Sequence, residues 1–260
     1  MQNSIFKGWG IGKWICNIII LLLTITVLSL FINPLFAFGY IIMLAVHESG
    51  HIISAKSYGA QVRFGGFTPF GAYIQILDQT SIKENAVIAM SGPLFGLINA
   101  LLYFFIFSFM KDTTFLWLSF FTVVVSLMNL LPLNPFDGGK VISATFYYFP
   151  LVFIPFLIYS IVMLTEEQWL IYVQALLIIY IILDVIKMRR TNRLERLFHL
   201  DKEPKALIFF IYVIVIILLA GLMLTMTIDY ENTLLPTIII PNELLDFIEM
   251  LKKFFEAFQR

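Results

Sequence analysis

Long apolar runs dominate this chain and restrict what it can fold into. A helix that crosses a bilayer needs about 20 mainly apolar residues. Stretches of that kind lie near 15–32, 35–57, 84–110, 114–134, 141–164, 169–187 and 206–228. Of the 260 residues, 60% are hydrophobic and 13% charged, roughly half the ~25% charged residues usual for a soluble domain. The reading is therefore an all-α polytopic membrane protein of about 6–7 transmembrane helices. Pro150 and Pro155 interrupt the fifth stretch, which also reads as a short helix followed by a short span.

Lysine and arginine placement orients the spans. With the N-terminus inside, Lys7, Lys13, Lys56, Arg63, Lys83, Lys140 and the basic segment 187–205 are cytoplasmic. Only Lys111, Lys252, Lys253 and Arg260 fall outside. The first run is of full span length and ends at Asn33-Pro34, so it is expected to stay as an uncleaved helix. The formal net charge is zero, and nothing calls for nucleic acid. Cys16 is the single cysteine, which excludes an internal disulfide and a cysteine-rich metal site.

Two segments do not read as spans. Residues 60–77 hold three glycines and a proline, too many for a helix interior, and Ala72–Leu77 has strand-like composition. A β-hairpin is expected there, roofing a cavity, because irregular backbone at membrane depth must be covered or line a wet space. From Asn242 to Arg260, apolar residues recur at helical spacing, which predicts an amphipathic tail helix. The domain layout expected is 1–34, the first transmembrane helix; 35–140, a core; 141–228, C-terminal transmembrane helices; and 229–260, the tail.

Two of three histidines form His47-Glu48-Ser49-Gly50-His51 inside the second span. On a helix, residues four apart lie about 40° apart around the axis and roughly 6 Å along it. Both imidazoles can therefore reach one zinc ion, with Glu48 placed as base toward a water that zinc acidifies to a pKa of about 7. Ionisable groups at that depth cost several kcal/mol, so they are functional by default. A catalytic zinc usually takes three protein ligands. His199 lies in the basic loop and suits the third position poorly. Asp137, in the Pro- and Gly-rich stretch Asn129–Gly139, is the better candidate: the second and fourth spans both run inward, so their cytoplasmic halves share a depth. The zinc would lie on the order of 15 Å below the surface.

The H-E-x-x-H motif, followed two spans later by the N-x-x-P-x-x-x-x-D-G pattern of residues 129–138, resembles the site-2 protease family of intramembrane zinc metalloproteases. Ser91–Asn99 also looks like that family's third core helix. The resemblance covers roughly residues 35–140. It implies one zinc on His47, His51 and Asp137, Glu48 as the base and Asn129 steadying the oxyanion. The 65–76 segment resembles the family's re-entrant β-hairpin, with Gly71, Ala72, Tyr73, Ile74, Gln75 and Ile76 aligning a substrate. Asn134-Pro135 matches the sporulation sigma-factor-processing branch, but the sequence shows neither a PDZ-like insertion nor a CBS pair. The implied partners are a membrane protein or peptide substrate, the lipid bilayer, and an embedded inhibitor. The implied location is a bacterial cytoplasmic membrane, with the active-site side cytoplasmic. A catalytically inactive homologue and a metal transporter are the alternatives; the intact Glu48 opposes the first, and the nearly wholly apolar spans one, five and seven oppose the second.

Overall fold

In the computed structural model, residues 11–68, 71–78, 81–146, 148–163, 168–195 and 203–233 are described. The expected tail helix and His199 lie outside them. The chain forms two compact units, Met1–Leu222 and Met223–Arg260. The element order is α1 (Ile11–Phe31), α2 (Pro34–Ser57), β1 (Val62–Thr68), β2 (Gly71–Ile76), α3 (Ile82–Met110), α4 (Thr113–Asn129), α5 (Asp137–Ala144), a 3-10 turn (Phe149–Val152), α6 (Phe153–Met163), α7 (Gln168–Glu195) and α8 (Glu203–Thr233).

Four described helices are long and apolar enough to cross a membrane: Trp14–Phe31, Pro34–Ser57, Ile82–Met110 and Lys205–Thr227. The expected fifth stretch is not one straight span. It breaks into α5 and the helical segment Phe149–Ile161, bent by 109°. Pro150, at the start of the second segment, cannot donate a bond that would continue α5, whereas Pro155 falls in the first turn of α6, where proline is tolerated. α4 is shorter than the expected 114–134; it ends at Asn129 and hands over to a loop. α7 turns Tyr172, Leu176, Ile179 and Leu183 outward, an apolar face suited to lipid.

Polar caps set where the helices begin. The Asn33 side chain accepts from the Phe36 amide at 2.7 Å, and its amide donates to Thr114 Oγ1 at 3.1 Å. Pro34 then occupies the first helical position, where its missing N–H costs nothing. Ser81 and Glu84 cap each other's backbone at the start of α3, a reciprocal capping box. Within the first unit, α2, α3 and α4 pack around Phe36, Met43, Leu44, Tyr103 and Leu118. Tyr103 satisfies its buried hydroxyl by donating to the Gly39 carbonyl at 2.8 Å.

The glycine-rich segment folds as expected into an antiparallel hairpin. Val62 pairs with Ile76, Arg63 with Gln75 and Phe64 with Ile74, and a bulge follows before Gly66 meets Tyr73. Gly66 sits at φ 143, a conformation open to glycine, and a Cβ there would lie 2.6 Å from Asn17 Oδ1 of α1. The hairpin is thus seated between α1 and α2 with no room for a side chain at its bulge.

Candidate metal centre

α2 carries His47 and His51 one turn apart on its buried face, each 6% exposed. Their Nε2 atoms approach to 3.3 Å. The neighbouring α3 is stripped of side chains where it faces them. A Cβ on Gly92 would meet His51 Nε2 and would lie 2.8 Å from His47 Nε2; one on Gly96 would meet Ser126 Oγ. Gly50 of α2 plays the same part in reverse, since a Cβ there would lie 2.5 Å from the Ser91 carbonyl oxygen. Small residues on both helices therefore bring the backbones close enough for the imidazoles to fit between them.

His51 is oriented by its second nitrogen. Nδ1 lies 2.7 Å from the Ile88 carbonyl oxygen, so it carries the proton and donates, which leaves the Nε2 lone pair facing inward. His47 Nδ1 has no hydrogen-bond partner among the described residues.

Asp137 enters from the opposite side, on the first turn of α5 and 6% exposed. Its Oδ2 lies 3.5 Å from His47 Nε2 and 3.1 Å from His51 Nε2. Lys140, one turn on, donates to the other oxygen, Oδ1, at 3.1 Å. The carboxylate is thereby divided, one oxygen held by a cation and the other aimed at the imidazoles. The chain reaches this position through a tightly folded loop. A Cβ on Gly138 would collide with the Leu130 carbonyl, and one on Gly139 would lie 2.5 Å from the Leu133 carbonyl carbon. Only glycine at both positions lets the start of α5 lie flat on residues 130–134.

These three donor atoms fit zinc. Bonds of about 2.0–2.1 Å in tetrahedral array place neighbouring ligand atoms about 3.3 Å apart, and the triangle's edges are 3.3, 3.5 and 3.1 Å. Glu48 also brings a carboxylate oxygen within 4.8 Å of a ligand atom of each histidine. With Asp137 completing a triangle of three ligands, the Glu48 carboxylate is close enough to address a water beside them.

The cluster opens into a cavity of about 430 Å³. His47, Glu48, His51, Asp137 and Asn129 line it, as do Ala72, Tyr73, Ile74 and Ile76 of β2 and Lys140. Gln75 is not among the lining residues, and Gly71 borders a turn outside the described residues. Asn129 spends one Nδ2 hydrogen on the Val125 carbonyl of its own helix at 3.0 Å. An amide nitrogen has two hydrogens, so one remains for the cavity.

Sequence reasoning passed over Asp184. It sits in the apolar stretch of α7, 5% exposed, with its carboxylate on Asn134. A carboxylate in such a run is itself a signal, because its burial is costly unless paired.

Known proteins resemble the segment of the chain that carries the two histidines. Residues 35–113 match the sequence profile of Peptidase family M50, a match that includes both histidines and ends before Asn129 and Asp137. A candidate zinc metalloprotease of Methanocaldococcus jannaschii is 29% identical over 141 residues, covering 45% of this chain and 74% of that protein. Stage IV sporulation protein FB of Bacillus subtilis is 26% identical over 110 residues, covering 41% of this chain and 38% of its own length. A second zinc metalloprotease of M. jannaschii is 28% identical over 150 residues, 54% of this chain and 44% of that one. Among solved structures, the site-2 protease from M. jannaschii superposes with a TM-score of 0.40 and 18% identity, over 65% of this chain and 88% of that chain. By sequence, then, residues 35–113 of this chain are similar to Peptidase family M50, and the relatives at 26–29% identity include two zinc metalloproteases.

Proposed function

We propose that this protein is an intramembrane zinc metalloprotease that hydrolyses peptide bonds in or beside the transmembrane segments of membrane-associated substrates. The observation that carries this reading is the buried triangle of His47, His51 and Asp137, opening onto a cavity that Glu48, Asn129 and one strand of the hairpin also line. His47 and His51 through Nε2, and Asp137 through Oδ2, would hold one zinc. Zinc bound there supplies Lewis-acid polarisation of a carbonyl and acidification of water.

The protein's own groups supply the rest. Glu48 takes a proton from the attacking water and passes it to the leaving amine. The free Nδ2 hydrogen of Asn129 is available to the oxyanion as charge develops on it. A substrate segment, unwound from its helix, pairs as an added strand with the hairpin at β2. Ala72, Ile74 and Ile76 recur at the two-residue period of a strand face, and all three border the cavity. Apolar walls of this kind accept the side chains of a transmembrane substrate without sorting them by charge. About six or seven spans, a cytoplasmic N-terminus and a site facing the cytoplasm of a bacterial cell complete the proposal.

The test uses purified full-length protein and a transmembrane peptide substrate. Glu48→Gln should keep its zinc and lose cleavage by a factor of at least about 10². Full cleavage by that variant would remove the proposed base and the mechanism with it. Asp137→Ala should lower zinc retention against a chelator, and unchanged retention would reject Asp137 as a ligand.

A further inference from the structure

We infer that Asp184, outside the matched family segment, is a positioning residue that fixes the Asp137 loop in place. The inference rests on the reading of Asp137 as a metal ligand. It begins from one residue of the loop, Asn134. The Asn134 backbone N–H donates to Asp184 Oδ2 at 2.9 Å, and its side-chain amide donates to Oδ1 at 3.0 Å. Tyr180, one turn earlier on α7, donates its hydroxyl to the Asn134 carbonyl. One face of α7 thus engages the donor, the acceptor and the side chain of a single residue. Four residues back, Tyr212 of α8 donates to the Leu130 carbonyl at 2.6 Å.

This hold reaches Asp137 through backbone. Gly138 and Gly139 pack against the carbonyls and amide of Leu130–Asn134 so closely that no side chain fits between them. The start of α5 must therefore follow the loop, and the loop follows Asn134. Hydrogen bonds to an ionised carboxylate are roughly twice as strong as neutral ones. An aspartate placed in an apolar helix is expensive unless both oxygens are used, and Asn134 uses both. The helices after residue 140 thereby set the distance between Asp137 and the two histidines, which themselves sit on a different helix.

The experiment measures loop release and metal retention separately. Leu133, 8% exposed, is replaced by cysteine in a Cys16→Ser background of the full chain, and its labelling rate with a maleimide is followed. Asp184→Ala should raise that rate about tenfold or more. It should also weaken zinc retention against a chelator by about 10- to 100-fold, the range usual for loss of a group that orients a ligand. Asp184→Asn, which keeps an acceptor, should restore most of both. In an Asp137→Ala background, Asp184→Ala should cost no further zinc. An unchanged labelling rate overturns the proposal. So does an equal extra loss of zinc in the Asp137→Ala background, which would mean general destabilisation. Faster labelling combined with full zinc retention in both Asp137→Ala and Asp184→Ala would reject the ligand reading and leave the loop hold standing. If Asp184→Ala fails to fold, Asn134→Ala carries the test with about a threefold rise in labelling; no rise overturns the proposal.

Discussion

Two halves of the candidate metal centre are built on different physical principles. His47 and His51 come from one helix, and their spacing follows from 3.6 residues per turn. Any α-helix with this motif offers both rings on one side, provided the facing helix leaves room. Asp137 comes from a loop whose course is settled by contacts 50 to 82 residues away in sequence, those of Asn134 with Asp184 and Leu130 with Tyr212. The histidine half is thus local and rigid, and what endangers it is steric. The aspartate half is tertiary, and what endangers it is loss of a hold. Damage to the first should abolish the site outright, whereas damage to the second should loosen it by degrees.

The largest effect is expected on the histidine side. Gly92→Ala places a methyl group against both Nε2 atoms. The His51 ring cannot retreat, because it is tied to the Ile88 carbonyl, and the helices cannot separate cheaply to make room, since they already touch at Gly50. Zinc content of the purified variant should fall by at least tenfold, while Gly221→Ala, where nothing lies within 4 Å, should leave it unchanged. Metal analysis of the two proteins decides this. Normal zinc in Gly92→Ala would mean that the close packing of α3 is not what shapes the site.

Gly138→Ala comes next. The new methyl group meets the Leu130 backbone rather than a ligand, and overpacking against backbone costs roughly 1–3 kcal/mol. The loop can absorb part of that by shifting, so zinc retention should weaken by about tenfold without vanishing. A chelator titration measures it. A loss of zinc as large as that of Gly92→Ala, or larger, would erase the distinction between the two halves.

The same contrast explains what could be read in advance. The second and third helices were legible from apolar run length; the caps at Asn33-Pro34 and Ser81–Glu84 are equally local signals, but they became plain only in the structure. The hairpin was legible because glycine and β-rich residues exclude a helix there. The break near Pro150 was marked by proline, but the 109° bend was not, since its angle is set by packing. The role of Gly92 as space for an imidazole was not legible either, because a glycine in a helix does not announce what faces it. Asp184 looked like one acid in an apolar run; its partner, Asn134, lies 50 residues away, and no periodicity links them.

A smaller effect is expected on the substrate side of the cavity, which neither half of the centre controls. Ile74→Ala trims a β2 side chain that lines the cavity, and its pairing partner Phe64 preserves the strand register. Zinc content should stay the same, and kcat/KM for a transmembrane peptide should fall by about five- to tenfold, carried mostly by KM, because lost apolar contact weakens ground-state and transition-state binding alike. An equal fall in zinc content would place Ile74 in the centre's support instead.

The smallest effect sharpens the idea of a graded hold. Tyr212 is 1% exposed and gives its hydroxyl proton to the Leu130 carbonyl. Tyr212→Phe keeps the ring and its packing but strands a buried acceptor, at a cost of about 1–3 kcal/mol. Asn134 keeps its three bonds to α7 in this variant, so the start of the loop loosens while the segment next to Asp137 stays held. Most of the cost should therefore appear in thermal stability, as a midpoint lowered by roughly 2–12 °C, and little in zinc retention, which should weaken by no more than about threefold. A loss of zinc as large as that of Asp184→Ala would show that the α8 contact, not α7, governs the position of Asp137, because two holds on one loop cannot both be the last constraint before the ligand.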